Sequence, residues 1–212
     1  MMGIMKASSP AAIRRTPNRG DAKSRTHSRI VSAAGRLIRK KGLAAASVHE
    51  VMRAAGLTIG GFYAHFRSKS AMDIEVLKKT LSDARSRWFQ GIDRSRSDEW
   101  RSKVIARYLS PSHRDRPDDG CPMPAVLSEV ARAGPATRKA MAEGFEDYIR
   151  EFSVLAPEHS GITPRERALA TLALCVGGVA IARAVRGTEL SDEMLAACAK
   201  WALPEGQTPQ AR

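Results

Sequence analysis

Between Ser47 and Ala71 the sequence reads SVHEVMRAAGLTIGGFYAHFRSKSA. Ser47 followed three residues later by Glu50 is a start signal for a helix, and Gly56 is a residue type that commonly ends one. A second short helical pattern, about Thr58–Phe66, follows after only one or two residues. Two short helices joined by a tight glycine turn predict a helix-turn-helix, whose second helix lies in the major groove of DNA.

Helical patterns continue on both sides of this motif. An apolar stripe from Ile30 to Ile38 predicts a preceding helix that ends at Gly42, and Ser68 is placed to cap a long fourth helix. No alternating strand pattern of useful length appears. We therefore predict an all-α fold of about nine helices, with an N-terminal helix-turn-helix domain of three helices and a C-terminal helical domain.

The later helices are marked by their start and stop signals. Thr163, followed by a proline and then Glu166, predicts a strongly capped eighth helix. Ser191 is expected to cap the ninth helix, and Pro124 to begin a sixth that runs to about Ala133. The stretch Ser110–Pro122, with three prolines and no apolar period, is expected to be a loop.

The net charge of +13 is concentrated in the first third of the chain. Residues 1–79 contain 16 Lys or Arg and four Asp or Glu, whereas residues 80–212 contain 19 and 18. This asymmetry favours a polyanionic partner for the first third, with nucleic acid ahead of a membrane surface. Solubility alone would not require it.

The domain boundaries follow composition and charge. Residues 1–24 are rich in Pro, Arg, Ser and Gly and are expected to form a disordered basic arm. Such an arm either adds DNA contacts or is an inert extension, and the sequence leaves both open. Residues 25–70 are assigned to the helix-turn-helix domain, and 71–212 to a helical ligand-binding and dimerisation domain.

Composition excludes several other classes. The three cysteines lack metal-ligand spacing and cannot form a disulfide framework, which favours a reduced, cytoplasmic protein. The longest uncharged run, Ala168–Ala182, is shorter than the ~20 residues that span a bilayer, and no secretory signal is recognised. We expect no metal, no cofactor, no membrane partner and no catalytic residue. An enzyme with Cys121 as nucleophile and His113 or His159 as base is the weakest alternative.

The stretch Thr26–Met72 resembles the DNA-binding region of TetR-family transcriptional regulators. The match is dense over Ser47–Ala71, and the nine-helix layout agrees with that family along the rest of the chain. The resemblance implies a homodimer, usually a repressor, that binds an operator in double-stranded DNA. It also implies that a small-molecule effector binds the C-terminal domain and releases the DNA.

The resemblance assigns DNA contacts by position. Ser47 corresponds to a phosphate contact at the start of the first motif helix, and Lys69 to a phosphate-binding lysine near the start of the next long helix. Tyr63 and His65 correspond to a pair that contacts the DNA backbone. The predicted DNA-binding residues are Ser47, Thr58, Ile59, Gly60, Gly61, Tyr63, His65 and Lys69.

Within the recognition helix, Gly60 and Gly61 let the backbone approach DNA closely. Thr58 is placed to touch a phosphate or a base edge. Ile59 is expected to support the core, with a thymine methyl as its alternative contact. Met52 departs from the family pattern, which usually has a small alanine there, and its longer side chain is expected to alter the crossing of the two helices.

Aromatic residues and methionines of the second domain are expected to line an apolar effector pocket, each with ordinary core packing as its alternative. The effector itself is not identified by the sequence. The predicted ligand-binding residues are Trp88, Phe89, Trp100, Tyr108, Met123, Met141, Phe145, Tyr148 and Phe152.

The last two helices are expected to form the dimer interface, as in the family. A surface of small residues on the eighth helix suits close helix packing, although the same residues would also suit an intramolecular contact. The predicted dimer contacts are Gly177, Gly178, Ala180, Ile181 and Ala184.

Cys121 lies beside a predicted helix start, which lowers the pKa of a thiol. A thiol sensor of oxidants or electrophiles based on Cys121 is therefore one alternative function. A non-specific, nucleoid-type DNA binder driven by the basic arm is another.

Overall fold

The structure is a computed structural model that describes residues 19–92, 97–153 and 161–203. Those residues form nine α-helices and two short 3-10 helices and contain no β-strand, so the all-α prediction is confirmed. The helices are α1 (Arg19–Lys41), α2 (Val48–Ala54), α3 (Lys69–Phe89), α4 (Ser97–Tyr108), α5 (Pro111–Asp115), α6 (Met123–Ala131), α7 (Pro135–Ser153), α8 (Pro164–Ala184) and α9 (Glu189–Ala202). The 3-10 helices are Ile59–Ala64, here called the recognition segment, and Pro117–Asp119, here called the 3-10 turn.

The predicted basic arm overlaps the first helix. Because α1 begins at Arg19, residues 19–24 are helical rather than part of an arm. The remainder of the predicted arm, residues 1–18, lies outside the described residues. The predicted domain boundary at residue 70 falls in the first turn of α3, which belongs to both parts of the molecule.

Side-chain caps fix three of the helix starts, as the sequence predicts. Ser47 Oγ accepts from the backbone N–H of Glu50 (3.2 Å), and Ser68 Oγ accepts from that of Ala71 (3.1 Å). Thr163 forms a complete capping box with its glutamate. The Glu50 carboxylate does not complete a box at α2, because it pairs instead with Lys41 of α1 (3.2 Å).

Two helix boundaries differ from the prediction, one through a local cap at Ser110 and the other through a tertiary contact of Ser191. The stretch Ser110–Pro122 is not a loop throughout: Ser110 caps α5, and the 3-10 turn follows. Ser191 does not cap α9, which begins at Glu189. Its buried hydroxyl instead donates to the carbonyl of Ala182 in α8 (2.8 Å) and ties the two helices together.

Helix α8 is by length and composition able to cross a bilayer. Its 21 residues carry one face that packs in the core and another that is exposed and rich in small apolar residues. A core helix of a globular domain satisfies the same criterion, so length and composition alone do not distinguish the two.

Two hydrogen-bonded contacts join the N-terminal part to the C-terminal domain. The Glu129 carboxylate of α6 accepts from the backbone N–H groups of Leu43 and Ala44, in the turn between α1 and α2. Arg39 of α1 donates through Nε to the carbonyl of Asp118 in the 3-10 turn. The position of the helix-turn-helix therefore depends on α6 and on the 3-10 turn as well as on α3.

Candidate nucleic-acid interface

The recognition segment is anchored by aromatic residues on its inner side. Phe62 and Phe66 are buried, and their rings stack with centroids 5.5 Å apart. Met52 of α2 is also buried, and its Cε lies 3.7 Å from where a Cβ at Gly61 would stand. The long Met52 side chain thus occupies space that the glycine leaves, which explains how the departure from the family pattern is accommodated.

The segment itself is shorter and more tightly wound than the predicted helix Thr58–Phe66. It is a 3-10 helix of six residues, Ile59–Ala64. Two consecutive glycines lower the helical propensity by about 1 kcal/mol each relative to alanine. A short 3-10 segment is the ordinary outcome where an α-helix is poorly supported.

The outer side of the segment is exposed. Tyr63 is 72% exposed and Ile59 is 49% exposed, and Thr58 and Gly60 are exposed beside them. The expectation that Ile59 supports the core is wrong, because the core beneath the segment is filled by phenylalanine rings and Met52. An apolar side chain left in this position is available for the alternative contact with a thymine methyl.

His65 is held at the inner edge of this surface. Its ring centroid lies 5.8 Å from that of His27 of α1, and its Nδ1 has no hydrogen-bond partner in the described part of the chain. Burial, followed by the nearby charges of His27 and Lys23, lowers the pKa of His65. This shift favours the neutral form of the ring, which hydrogen-bonds without carrying a charge.

Lys69 is positioned by two intramolecular bonds. Its Nζ donates to the carbonyl of Leu43 (2.9 Å) and to the Asp73 carboxylate (2.7 Å). An ammonium group has three N–H donors, so one donor remains for a phosphate oxygen. Burial, as the largest effect, raises the pKa of Asp73 despite this partner.

The surroundings of the segment are strongly cationic. Residues 19–79 contain 13 Lys or Arg and four Asp or Glu. Arg53, in the last turn of α2, and Arg67, directly after the segment, are both exposed, and neither makes an ion pair with a described residue. The sequence reasoning counted them only as net charge, although their places beside the glycine turn and the segment were the available signal.

The residues predicted to line an effector pocket are instead packed together. Eight of them are buried and Phe145 is partly buried in the core. They touch ring to ring: the centroids of Trp88 and Tyr108 are 4.9 Å apart, and those of Phe89 and Phe152 are 5.6 Å apart. The alternative of ordinary core packing therefore describes them better.

Cys121 is fully buried rather than poised at a surface. Burial, the largest effect, raises the pKa of its thiol, opposite to the predicted lowering. Its backbone N–H donates to Nε2 of His113 (3.1 Å). The residue is thus built into the core beside α5, with the thiol in its protonated form.

The predicted dimer residues differ in their exposure. Gly178 is buried against α9, where an added Cβ would stand 2.8 Å from Cys198 Sγ, so it serves the intramolecular contact. Gly177 and Ala180 are half-buried, and Ile181 and Ala184 are exposed. Sequence reasoning missed the larger exposed apolar residues around them, which are Leu169, Leu190 and Trp201.

Comparisons with known proteins agree with this geometry. Residues 30–76 match the family model of the bacterial regulatory proteins of the tetR family. Among curated proteins, none matches the sequence of this chain.

Three solved structures illustrate the similarity of fold. Escherichia coli NemR, in a structure described as its reduced form, has a TM-score of 0.69 at 22% identity, over 88% of this chain and 100% of that one. A TetR transcriptional regulator of Chloroflexus aurantiacus has a TM-score of 0.71 at 20% identity, over 85% and 95%. A protein of Saccharomonospora viridis, described as a transcriptional regulator and solved with choline, has a TM-score of 0.65 at 18% identity, over 84% and 95%.

Proposed function

We propose that this chain, whose residues 30–76 match the family model of the bacterial regulatory proteins of the tetR family, is a homodimeric repressor that a small molecule releases from its operator. The observation that carries the proposal is the recognition segment. It presents Tyr63 and Ile59 outward from a rigid aromatic base within the most cationic part of the chain. Cations position such a surface on phosphates, and exposed side chains of the segment read the groove.

Dimerisation is supported by the outer face of α8 and α9. Ile181 and Leu169 of α8 and Leu190 and Trp201 of α9 are between 45% and 81% exposed in the single chain. Exposed apolar patches of this kind mark interaction sites. A two-fold symmetric contact through this face would present two recognition segments to a quasi-palindromic operator.

Release by an effector is supported by the contacts between the two parts of the chain. A ligand that moves the 3-10 turn acts directly on α1 through the Arg39 hydrogen bond, and one that moves α6 acts on the turn after α1 through the Glu129 hydrogen bonds. An effector changes DNA affinity only by its preference between the two states, typically about 1–3 kcal/mol. The operator and the ligand then bind with reciprocal effects on each other.

In-vitro selection of DNA by the full-length chain tests the proposal. Recovery of a two-fold symmetric sequence, bound at least about 1000-fold more tightly than random DNA at physiological salt, is the expected result. Equal affinity for selected and random DNA, with a steep dependence on salt, would instead establish the non-specific binder.

The thiol sensor is a second candidate because one solved structure with this fold is described as a reduced form. The burial of Cys121 disfavours direct oxidation of its thiol. A Cys121→Ala variant that is released from DNA by peroxide as readily as the parent chain would exclude this candidate. A variant that has lost only the response to peroxide would establish it.

A further inference from the structure

A cavity of about 420 Å³ opens where the C-terminal end of α3 meets α4, α5 and the 3-10 turn. Its volume lies within the ordinary range for small-molecule sites. Of the residues that the sequence predicted for an effector, only Trp88 lines it. The cavity is therefore a different place from the aromatic core, and its chemistry has to be derived from its own walls.

Arginines dominate the polar part of this wall. Arg87, Arg107 and Arg116 line the cavity together with a single carboxylate, that of Asp119. None of the three guanidinium groups pairs with a carboxylate of the described residues. The cavity therefore has an excess of positive charge that the described residues do not neutralise.

The three guanidinium groups differ in how many hydrogen bonds they donate within the chain. Arg107 donates to three backbone carbonyls at the C-terminal end of α3, at 3.0–3.3 Å, and so caps that helix. Arg116 donates to the Ser112 hydroxyl (2.5 Å), and Arg87 makes one long bond of 3.4 Å to the carbonyl of Gly120. Since each guanidinium carries five N–H donors, most of the donors of Arg87 and Arg116 remain available to a ligand.

The remaining wall is aromatic and uncharged. The rings of Trp88 and His113 are both buried and meet edge to face, with centroids 4.5 Å apart. His113 Nδ1 donates to the carbonyl of Tyr108 (2.7 Å), and its Nε2 accepts from the N–H of Cys121 (3.1 Å). Burial lowers the pKa of His113 to about 4, so the ring carries no charge at pH 7.

Trp88 lines this cavity but keeps its indole N–H out of contact with solvent. Its indole Nε1 is buried and has no hydrogen-bond partner in the described part of the chain. A buried donor without an acceptor is costly. The ring, and not this N–H, is therefore the part of Trp88 that the cavity offers to a ligand.

We propose that this cavity binds a small aromatic carboxylate, with its ring against Trp88 and His113 and its carboxylate paired with Arg87 and Arg116. Guanidinium groups bind carboxylates through two parallel N–H···O bonds, which fixes the orientation of the acid. An inorganic anion would satisfy the arginines but leave the aromatic wall unused. A neutral aromatic molecule would pack against the aromatic wall but leave the arginines without a partner of opposite charge.

The 3-10 turn connects this cavity to α1 of the DNA-binding part. Asp119 of the cavity wall is the neighbour of Asp118, whose carbonyl accepts from Arg39 of α1. A ligand that draws Arg116 toward Arg87 moves the 3-10 turn relative to α1. The assignment of the acid as the effector rests on the proposed function, whereas the binding site itself does not.

Isothermal titration of the full-length chain with benzoate, phenylacetate and 2-naphthoate tests the site, with the primary amide of each acid and inorganic phosphate as comparisons. We expect at least one acid to bind saturably, one molecule per chain, and its amide to bind at least about tenfold more weakly. Arg87→Gln and Arg116→Gln, on different elements, are each expected to weaken that acid at least about tenfold. Arg150→Gln, at an exposed arginine of α7, is the matched control and is expected to leave binding unchanged.

Three results would overturn the proposal: no saturable binding of any of the three acids, amides that bind as tightly as the acids, or equal weakening by all three arginine variants. Phosphate that binds as tightly as the best acid would also overturn it, because the site would then be an inorganic-anion site. Thermal unfolding of each variant shows that the titrated protein is folded.

The two proposals fail separately. A chain that selects a symmetric DNA site but binds none of the acids refutes the ligand assignment alone. A chain that binds an acid through Arg116 but selects no DNA refutes the regulatory function alone.

Discussion

Two surfaces of this molecule expose large apolar side chains, and they differ in the charge that surrounds them. One is the recognition segment, with Ile59 and Tyr63. The other is the outer face of α8 and α9 together with a residue two positions before α8, and it comprises Ile162, Leu169, Ile181, Leu190 and Trp201. Among the described residues, every exposed large apolar side chain belongs to one of these two surfaces.

The surrounding charge separates their partners. Residues 19–79 carry 13 basic and four acidic residues, whereas residues 161–203 carry five and four. A cationic field attracts a polyanion and repels a second copy of itself, while a neutral apolar face favours self-association. The same kind of exposed side chain is thus expected to meet DNA in one region and another protomer in the other.

A charge placed on the neutral face of α8 and α9 is expected to have the largest effect. Ile181→Glu would bury an unpaired carboxylate in each half of the interface, so we expect the dimer to dissociate at least about 100-fold more readily. Operator binding should fall with it, because one protomer reads only one half-site. Analytical ultracentrifugation measures the first effect and a gel shift the second. Ala106→Glu, at an exposed position of α4, is the control, and a variant dimer as tight as the parent would contradict the assignment of this face.

Removing an exposed ring from the cationic surface should leave the dimer intact. Tyr63→Ala is expected to weaken operator binding about ten- to hundredfold, because a hydrogen bond to a charged phosphate is lost together with the ring. Fluorescence anisotropy with the selected operator measures this loss. Lys139→Ala, at an exposed lysine of α7, removes a charge outside the surface and serves as the control. Unchanged affinity of Tyr63→Ala would show that the segment does not face DNA.

A change of pH should affect stability through the C-terminal domain. The folded chain keeps His113 neutral down to about pH 4, whereas an unfolded chain protonates it below its ordinary value of 6.5. Because the unfolded state binds more protons in that window, the free energy of unfolding falls as the pH decreases through it, by about 2 kcal/mol between pH 7 and pH 5. Urea denaturation at both pH values measures the loss. His113→Gln should flatten this dependence, and an equally steep dependence in that variant would contradict the prediction.

The smallest expected effect concerns the contact between α6 and the turn after α1, which carries the cationic surface. Glu129→Gln removes the charge from the hydrogen bonds to Leu43 and Ala44, and we expect about 1–2 kcal/mol of lost stability. Glu143→Gln is the matched control, because its exposed ion pair with Lys78 is worth little. Denaturation curves compare the two. Equal losses would show that the Glu129 contact does not hold the domains together.

Sequence reasoning succeeded where the determinants are local. The caps at Ser47, Ser68 and Thr163 depend on residues three positions apart, and all three are present. The same reasoning failed at Ser191, because the partner of its hydroxyl is the carbonyl of Ala182, in another helix. A capping pattern does not reveal which neighbour competes for the serine.

The candidate sites show the same limit. The recognition segment was located from its glycine turn, but the exposure of Ile59 depends on which side chains fill the space beneath it. The aromatic residues of the second domain were identified as a cluster, and the structure packs them together instead of around a ligand. The arginine-lined cavity combines Arg87, Arg107 and Arg116 from three elements. Their spacing in the sequence does not predict that they lie together.

Gly60 has a consequence for how this protein acquires new targets. An added Cβ there meets no atom of the chain within 4 Å, and the residue is exposed beside Tyr63. A serine, asparagine or arginine at this position would add a base-reading group without displacing anything, and would gain up to about 1 kcal/mol of helical propensity. A single substitution at this position is therefore expected to add a sequence preference without disturbing the fold around it.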